Sequence, residues 1–255
     1  MGALHAGHIS LIQAARRDDT FIVVSIFVNP TQFAPGEDYA AYPRRESEDL
    51  EKCRESGVGL VFTPPVEAVY PADAVTTVRV ARVSETLCGP HRPGHFDGVA
   101  TIVTKLFNIV QPDSAYFGQK DAQQLAVIRR LTRDLDLPIE IVGCPIVREP
   151  DGLALSSRNR YLDVAARRQA TCLHRALQDG RRLIQEGETA AAPVTARMRK
   201  VIEDAGSSRI DYVEAVDPAS MQPMEEIDRP ALLAIAAHIG GARLIDNLLA
   251  EPPGQ

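Results

Sequence analysis

The sequence predicts an α/β protein with a doubly wound parallel sheet over residues 1–147 and a smaller C-terminal α+β domain over residues 148–255. In the first region, short apolar runs alternate with amphipathic stretches of helix length, which is typical of parallel sheets built from right-handed βαβ crossovers. After Pro150-Asp151-Gly152, two helical stretches instead precede two further strands. This change of pattern indicates a separate, smaller sheet.

Each element follows from the spacing of its apolar residues. The run Phe21–Val28 is nearly continuous and apolar, as expected for a strand that a parallel sheet buries on both faces. Gly57 ends the next helix, and Pro64-Pro65 closes the next strand. The predicted helices lie at about 8–17, 45–56, 97–110, 121–135, 164–185 and 191–203, and the predicted strands at 21–28, 59–62, 114–117, 139–142, 210–216 and 231–237.

Composition narrows the class of protein. The chain has 255 residues, of which 45% are hydrophobic and 24% charged, as in an ordinary globular protein. Its formal net charge of -6 argues against nucleic acid as a partner, so local basic groups and helix N-termini must hold any anionic substrate. The four cysteines are widely spaced, which argues against a zinc site and a disulfide scaffold. Without a membrane-length apolar run or a signal pattern, the sequence predicts a cytoplasmic protein with reduced thiols and no membrane contact.

The octapeptide Met1-Gly2-Ala3-Leu4-His5-Ala6-Gly7-His8 precedes the amphipathic run Ile9–Arg17. Unpaired backbone N–H groups and the positive end of the helix dipole are expected at such a helix start. His5 and His8 share one face, and Gly7 lets a phosphate approach the backbone closely. Either imidazole is able to donate to a phosphoryl oxygen or to a leaving pyrophosphate. A His-x-x-His metal pair and an ordinary polar helix start are the alternatives.

Two further polar segments are candidates for phosphate binding. The loop Gly118-Gln119-Lys120-Asp121 follows a predicted strand and opens a helix, which places it at the carboxyl edge of the sheet. Lys120 there is able to neutralise charge that builds up in phosphoryl transfer, unless Asp121 is simply a helix cap and the lysine is solvated. The segment Ser156-Ser157-Arg158-Asn159 offers hydroxyls and a guanidinium, or else a helix cap beside a surface arginine.

Two glutamines and one arginine complete the candidates. Gln32 and Gln124 lie beside predicted strand or helix starts, and neutral amides suit the task of orienting a carboxylate that must act as a nucleophile. Each glutamine by itself is more often a surface residue. His91 and His95 have an i, i+4 spacing that metal sites use, but the intervening proline and glycine favour a loop on which Arg92 contacts an anion.

Six segments in order resemble the pantoate–beta-alanine ligase (pantothenate synthetase) family, and Leu244–Asn247 extends the likeness towards the end of the chain. The likeness covers essentially the whole sequence, and six motifs at compatible spacings are far more specific than any one of them. The six segments are Met1–His8, Phe27–Phe33, Arg92–Gly98, Gly118–Asp121, Gln123-Gln124 and Ser156–Tyr161.

This resemblance implies a Rossmann-like N-terminal domain of the HIGH-motif nucleotidyltransferase superfamily, a smaller C-terminal lid domain, a homodimer and dependence on Mg²⁺. It also implies a reaction in two steps. The carboxylate of pantoate attacks the α-phosphorus of ATP to give pantoyl adenylate and pyrophosphate. The amine of beta-alanine then displaces AMP and forms the amide of pantothenate.

The resemblance also implies roles for individual residues, with His8 as the proton donor. The expected catalytic residues are His5, His8, Lys120 and Arg158. The expected substrate contacts are Gln32 for pantoate and beta-alanine, Gln124 for pantoate and Arg92 for beta-alanine. The expected ATP contacts are Met1, Gly2, Ala3, Leu4, His5, Ala6, Gly7, His8, Gly118, Gln119, Lys120, Asp121, Val147, Leu155, Ser156, Ser157 and Arg158.

Three departures from the family pattern matter. Gln119 stands where the family often has Glu, and Leu155 where it often has Met; both changes keep the size of the side chain. The family has a strand that ends in Pro-Thr before its Met-Gly-Ala-Leu-His motif, whereas this chain begins at Met1. We therefore expect Met1 to be an internal methionine of a longer reading frame with an upstream apolar strand of about 5–6 residues. A genuine start, with one strand fewer, is the alternative.

Two other functions stay open on the sequence alone. A simple nucleotidyltransferase of the same superfamily would release a nucleotidylated product, and beta-alanine-dependent release of AMP separates it from the ligase. An N-terminally truncated, weakly active or silent ATP-binding protein is the second rival. It would release little or no pyrophosphate with ATP and pantoate.

Overall fold

The computed structural model describes residues 2–33, 39–40, 42–207 and 209–253, so the predicted ATP contact at Met1 lies outside the described residues. The chain forms two compact units. The first unit comprises Met1–Ala81, Arg92–Gln119 and Val127–Val147, and the second comprises Arg82–His91, Lys120–Ala126 and Arg148–Gln255. The assignment of separate functions to residues 1–147 and 148–255 stays a prediction.

Helices and strands are interspersed up to residue 144, and helices then precede strands, as predicted. The helices are α1 (Ala6–Asp18), α2 (Glu46–Glu55), α3 (Val66–Val69), α4 (Cys88–His91), α5 (His95–Val110), α6 (Ala122–Asp134), α7 (Val164–Ala170), α8 (Cys172–Gln185) and α9 (Ala191–Asp204). The strands are β1 (Val23–Ser25), β2 (Leu60–Phe62), β3 (Ser114–Gly118), β4 (Glu140–Cys144), β5 (Arg209–Val216), β6 (Ala231–Ile239) and β7 (Ala242–Ala250). Three 3₁₀ turns span Pro30–Gln32, Gln119–Asp121 and Ser157–Tyr161.

The strands of the first unit pair in parallel. β1 pairs with β2, with Val23 opposite Leu60, and β3 pairs with β4. Among the described residues these are two separate two-stranded sheets rather than one continuous sheet. Val24 of β1 and Tyr116 of β3 nevertheless belong to one apolar cluster. The predicted α/β class with parallel pairing is therefore confirmed.

The second unit is built on an antiparallel sheet in the order β5-β6-β7. All but one residue of β6 are buried, and α8 and α9 pack on this sheet through apolar side chains. Leu173, Leu177 and Met198 on the helices share one core with Leu233 and Ile235 on β6. The predicted small second sheet is confirmed.

Apart from the short helices α3 and α4, which the prediction omits, three elements differ from it. The strand expected at 21–28 is limited to β1, and the helix expected at 164–185 divides at Thr171, whose hydroxyl donates to the carbonyl oxygen of Arg168. The third difference is β7, which the prediction omits. It forms a hairpin with β6 through Gly240-Gly241, whose φ values of 54° and 80° require glycine's freedom in a tight two-residue turn.

The cysteines are part of the packed interior. All four are buried free thiols: Cys53, Cys88, Cys144 and Cys172. Burial raises the pKa of the Cys172 thiol to about 11. None of the helices that the structure describes is long and apolar enough to cross a membrane.

Candidate active site

The octapeptide leads into the first turn of α1, which begins at Ala6 with His5 as its N-cap residue. The Nδ1 atom of His5 accepts a hydrogen bond from the backbone N–H of Gly7 at 3.2 Å, and the Nδ1 atom of His8 accepts one from the N–H of His5 at 3.3 Å. The two imidazole centroids are 4.0 Å apart. The histidines therefore form a reciprocal cap at the helix start.

This cap determines which nitrogen carries the proton in each ring. A neutral imidazole that accepts a hydrogen bond at Nδ1 has its proton at Nε2. His5 and His8 both accept at Nδ1, so each carries an Nε2–H group. That group is the donor a phosphoryl oxygen requires.

Several backbone donors of the octapeptide have partners within the fold, although the sequence reasoning expected unpaired N–H groups at this helix start. The N–H groups of Ala3 and Leu4 donate to the two carboxylate oxygens of Asp49 at 2.7 and 2.6 Å. The ammonium group of Lys52 donates to the carbonyl oxygen of Leu4 at 2.7 Å. The prediction considered bonds within α1 alone, whereas side chains from α2 and from His5 satisfy these groups.

Gln32 ends the first 3₁₀ turn, which Asn29 caps. The Oδ1 atom of Asn29 accepts from the backbone N–H and the hydroxyl of Thr31 at 3.4 and 2.9 Å. The hydroxyl of Tyr70 donates to the same oxygen at 2.8 Å. Burial raises the pKa of Tyr70, so its phenol stays protonated as a donor. Asn29 is itself buried, and the turn that ends at Gln32 is therefore held by groups within the fold.

The segment at the start of α5 holds the backbone of Gln32. The Nδ1 atom of His95 lies 2.8 Å from the carbonyl oxygen of Gln32, and the Nη1 atom of Arg92 donates to Nε2 of His95 at 3.0 Å. Both bonds fit one neutral tautomer that carries its proton at Nδ1. A Cβ atom on Gly98 would lie 2.4 Å from the carbonyl oxygen of Thr31, so a glycine is required for this close approach.

The loop after β3 forms the second 3₁₀ turn and leads into α6, as predicted. The Nζ atom of Lys120 is 3.9 Å from Oδ1 of Asp121, and the lysine side chain is only 21% exposed. The side-chain amide of Asn247 donates to the carbonyl oxygen of Lys120 at 2.9 Å, which ties the turn to β7. Lys120 is therefore not the solvated lysine of the alternative interpretation.

Two adjacent glutamines on α6 have different environments. Gln123 is buried; its Oε1 accepts from the N–H of Cys88, and its Nε2 donates to the carbonyl oxygens of Val83 and Thr86. Gln124 is partly buried, and no described residue forms a hydrogen bond with its amide. The amide of Gln123 is therefore fully used by the fold, whereas that of Gln124 has no such role among the described residues.

The segment around Arg158 forms the third 3₁₀ turn. The hydroxyl of Ser156 accepts a hydrogen bond from the backbone N–H of Arg158 at 3.2 Å, so Ser156 is the cap of this turn. The side-chain amide of Asn159 donates to the carbonyl oxygen of Ala154 at 3.1 Å and holds the turn against the preceding chain. The remaining predicted ATP contacts Val147, Leu155 and Ser157 are partly buried.

Comparison with known proteins decides the family, because the model of the family described as Pantoate-beta-alanine ligase matches residues 1–249. The chain belongs to the pantoate–beta-alanine ligase family. Curated relatives in this family include the pantothenate synthetase of Moorella thermoacetica, which is 55% identical over 251 residues, 98% of this chain and 89% of the relative. The pantothenate synthetase of Thermotoga petrophila is 51% identical over 249 residues, with 98% and 89% covered.

Solved structures of the same family are similar in fold. Pantothenate synthetase from Thermus thermophilus matches with a TM-score of 0.95 and 46% identity, covering 99% of this chain and 91% of that chain. Pantoate-beta-alanine ligase from Francisella tularensis, complexed with beta-gamma ATP and beta-alanine, matches with a TM-score of 0.80 and 33% identity, covering 98% and 87%.

The histidines weighed as metal ligands have other partners. His95 contacts Gln32 and Arg92, and His91 lies 3.9 Å from Asp211 of the second unit. Across the described ranges, no group of three or more His, Cys, Asp or Glu side chains is placed to hold a metal ion.

Sequence reasoning missed the residues of this family member that hold the candidate contacts in place. Asp49 and Lys52 look like ordinary charged positions of α2, and nothing in their spacing indicates a bond to the octapeptide. Asn29 carries a usable signal, because an asparagine before Pro-Thr is typical of a capped turn. His95 is placed correctly beside an anion-binding candidate, but its bond to Gln32 depends on the tertiary fold.

Proposed function

We propose that the protein is an ATP-dependent, AMP-forming acid–amine ligase that condenses pantoate with beta-alanine to pantothenate. The observation that carries the proposal is the match of the family model to residues 1–249, which include all the candidate contacts. The Francisella tularensis relative complexed with beta-gamma ATP and beta-alanine supports the choice of these two substrates.

In the first step, a carboxylate oxygen of pantoate bonds to the α-phosphorus of ATP, and the bond from that phosphorus to pyrophosphate breaks. Negative charge grows on the α-phosphate and on the leaving group. We assign the Nε2–H groups of His5 and His8, the ammonium of Lys120 and the guanidinium of Arg158 to stabilise that charge. Gln32 and Gln124 orient pantoate through neutral amides, which leave its carboxylate nucleophilic.

In the second step, the amine nitrogen of beta-alanine bonds to the acyl carbon of pantoyl adenylate. The bond from that carbon to AMP breaks, and the nitrogen loses a proton. Arg92 binds the carboxylate of beta-alanine through a charge-assisted pair. The contacts of Arg92 with His95 and with the carbonyl oxygen of Gln32 hold the guanidinium in place for this role.

We include Mg²⁺ in the proposal as the counter-ion of the ATP phosphates. In nucleotide sites Mg²⁺ is usually held by substrate phosphate oxygens and water with one or two carboxylates. A homodimer, a cytoplasmic location and a lid role for residues 148–255 complete the proposal. Sedimentation at several concentrations tests the dimer.

The decisive experiment is a pantoate-dependent ATP–pyrophosphate exchange assay, followed by measurement of AMP release with and without beta-alanine. We expect exchange only when pantoate is present, and pantothenate and AMP in equal amounts after beta-alanine is added. Release of a nucleotidylated product that beta-alanine does not discharge would instead identify a simple nucleotidyltransferase. Binding of ATP without any exchange would identify a silent ATP-binding protein.

A further inference from the structure

We propose that Asp49 and Lys52 of α2 are positioning residues for ATP. They hold the backbone of residues 3 and 4 in a conformation that orients the octapeptide towards the nucleotide. The role of the octapeptide in ATP binding rests on the proposed function. We call the contacts of Asp49 and Lys52 with residues 3 and 4 the clamp. The geometry of the first unit supports the clamp.

The carboxylate of Asp49 forms the first half of this clamp. The whole residue is only 1% exposed. Its two oxygens accept one hydrogen bond each from the N–H groups of Ala3 and Leu4, at 2.7 and 2.6 Å, which is short, as is usual when the acceptor is charged. A buried carboxylate is strongly destabilising without partners, so these bonds fix the octapeptide to α2.

Lys52 forms the second half. It lies three residues beyond Asp49 on α2, so the two side chains share one face of the helix. Its ammonium group donates to the carbonyl oxygen of Leu4 at 2.7 Å. Both backbone polar groups of Leu4 are therefore held by α2, immediately before the two candidate phosphate donors at positions 5 and 8.

The backbone of Ala3 has the unusual conformation that the clamp stabilises. Its φ angle is 49°, in the left-handed region that residues with a Cβ atom rarely adopt. Such a conformation persists only where surrounding groups enforce it, and it clusters at ligand-binding sites. The bonds from the N–H groups of Ala3 and Leu4 to Asp49 hold the peptide groups on both sides of Ala3. A clamp that only joined α1 to α2 would need no strained residue.

The proposal predicts a selective effect on ATP. A displacement of about 1 Å in a positioning element can lower the rate about 10²-fold. Asp49→Asn turns an amide N–H towards one of the two backbone donors and removes that bond. We expect the Kd for ATP to rise at least about tenfold, with the Kd for pantoate unchanged within about twofold. Lys52→Met should raise the Kd for ATP in the same direction.

The matched control is Glu51→Gln on the same helix, because the Glu51 side chain is 53% exposed and pairs with the nearby Arg54. This variant should bind ATP like the parent. The decisive readout is rescue in the double variant Asp49→Asn with Ala3→Gly. Glycine adopts a left-handed φ without strain, so we expect the double variant to recover at least half of the lost affinity on a logarithmic scale.

Three results would overturn the proposal: an ATP Kd for Asp49→Asn within twofold of the parent, equal losses for ATP and pantoate together with a lower Tm, or no recovery in the double variant. If Asp49→Asn does not fold, Lys52→Met gives the same ATP-against-pantoate comparison. The Kd for ATP is measured by equilibrium binding, without catalytic turnover. A parent protein that binds ATP but makes no pantothenate would therefore refute the proposed function and leave the test of the clamp intact.

Discussion

The Nδ1–H group of His95 donates to the backbone carbonyl oxygen of Gln32 at 2.8 Å, so the first residue of α5 holds the glutamine that we assign to pantoate. The same ring accepts a hydrogen bond from Arg92 at Nε2. One neutral imidazole therefore positions a candidate pantoate contact and a candidate beta-alanine contact together.

Replacement of His95 should weaken pantoate binding. His95→Ala leaves the partly buried carbonyl oxygen of Gln32 without its imidazole donor, a loss of about 1–3 kcal/mol, and should raise the KM for pantoate about tenfold. His95→Asn is the matched variant, because its amide N–H lies where the Nδ1–H group does. Steady-state kinetics with pantoate as the varied substrate make the comparison. An alanine variant that equals the asparagine variant and the parent would contradict this role.

Gly98→Ala should displace the turn that ends at Gln32. The added Cβ atom would lie 2.4 Å from the carbonyl oxygen of Thr31 and 2.7 Å from the backbone nitrogen of Gln32, and neither is the end of a flexible side chain. We expect the free energy of unfolding to fall by about 1–3 kcal/mol and the KM for pantoate to rise. Urea titration and kinetics measure the two effects. Asn108→Ala, at an exposed position of the same helix, should change neither.

The two adjacent glutamines of α6 should separate binding from stability. Gln124→Ala should reduce discrimination between pantoate and its deoxy analogue by about 1–3 kcal/mol, because we assign its amide to pantoate. Gln123→Ala should instead lower the free energy of unfolding by at least about 2 kcal/mol, since two buried backbone groups and one partly buried group lose their partner. Identical stability losses in both variants would disprove the assignment.

Lys120 should act on the adenylation step. Lys120→Ala removes a cation from the charge that develops on phosphate, and we expect pantoate-dependent pyrophosphate release to slow by about 10²–10³-fold. His8→Ala should slow the same step over the same range. The control is Lys200→Ala, whose side chain is 65% exposed on α9. A rate within a few-fold of the parent for Lys120→Ala would remove this residue from the mechanism.

Asp211 should make the free energy of unfolding depend on pH in the acidic range. Burial alone would raise the pKa of Asp211, but hydrogen bonds from Arg243 and Arg209 outweigh it and lower the pKa from 3.8 to about 2. Because the folded-state pKa is the lower one, this stabilisation is fully present above about pH 4 and is lost as the pH falls through about 2.

The variant Asp211→Asn tests this dependence. It should be less stable than the parent at neutral pH, because the partly buried Arg243 loses its charged partner. The difference should shrink by about 2 kcal/mol as the pH falls to about 2, where about half of the parent carboxylates are protonated in the folded state. Urea titrations across this range measure it. Asp204→Asn, at a position with a 63% exposed side chain, should differ from the parent by a small amount at every pH.

Local sequence signals predicted most of the elements. α5 and α6 lie within two residues of their expected bounds, because their apolar residues recur at helical spacing. β7 has an equally local signal, two glycines between apolar runs, which the prediction did not use. β1 is shorter than its apolar run because strand length depends on hydrogen bonds to a neighbouring strand, and these are not encoded in the run itself.

The residues of the candidate site also differ in whether a local sequence signal predicts them. Residues that we assign to the chemistry, such as Lys120 and Arg158, are recognisable from short motifs. Residues that hold them are not: the bond from Leu4 to Asp49 spans 45 positions, and the bond from Gln32 to His95 spans 63. Such contacts depend on how helices pack, and no local periodicity reports them.

The reciprocal cap of His5 and His8 makes each imidazole part of the backbone hydrogen bonding at this helix start. The N–H group of His5 donates to Nδ1 of His8, and the N–H group of Gly7 donates to Nδ1 of His5. Removal of either ring therefore removes a candidate phosphate donor and also takes the acceptor from a backbone N–H group. A loss of rate in a single-histidine variant combines both effects, so the losses of the two single variants should not add.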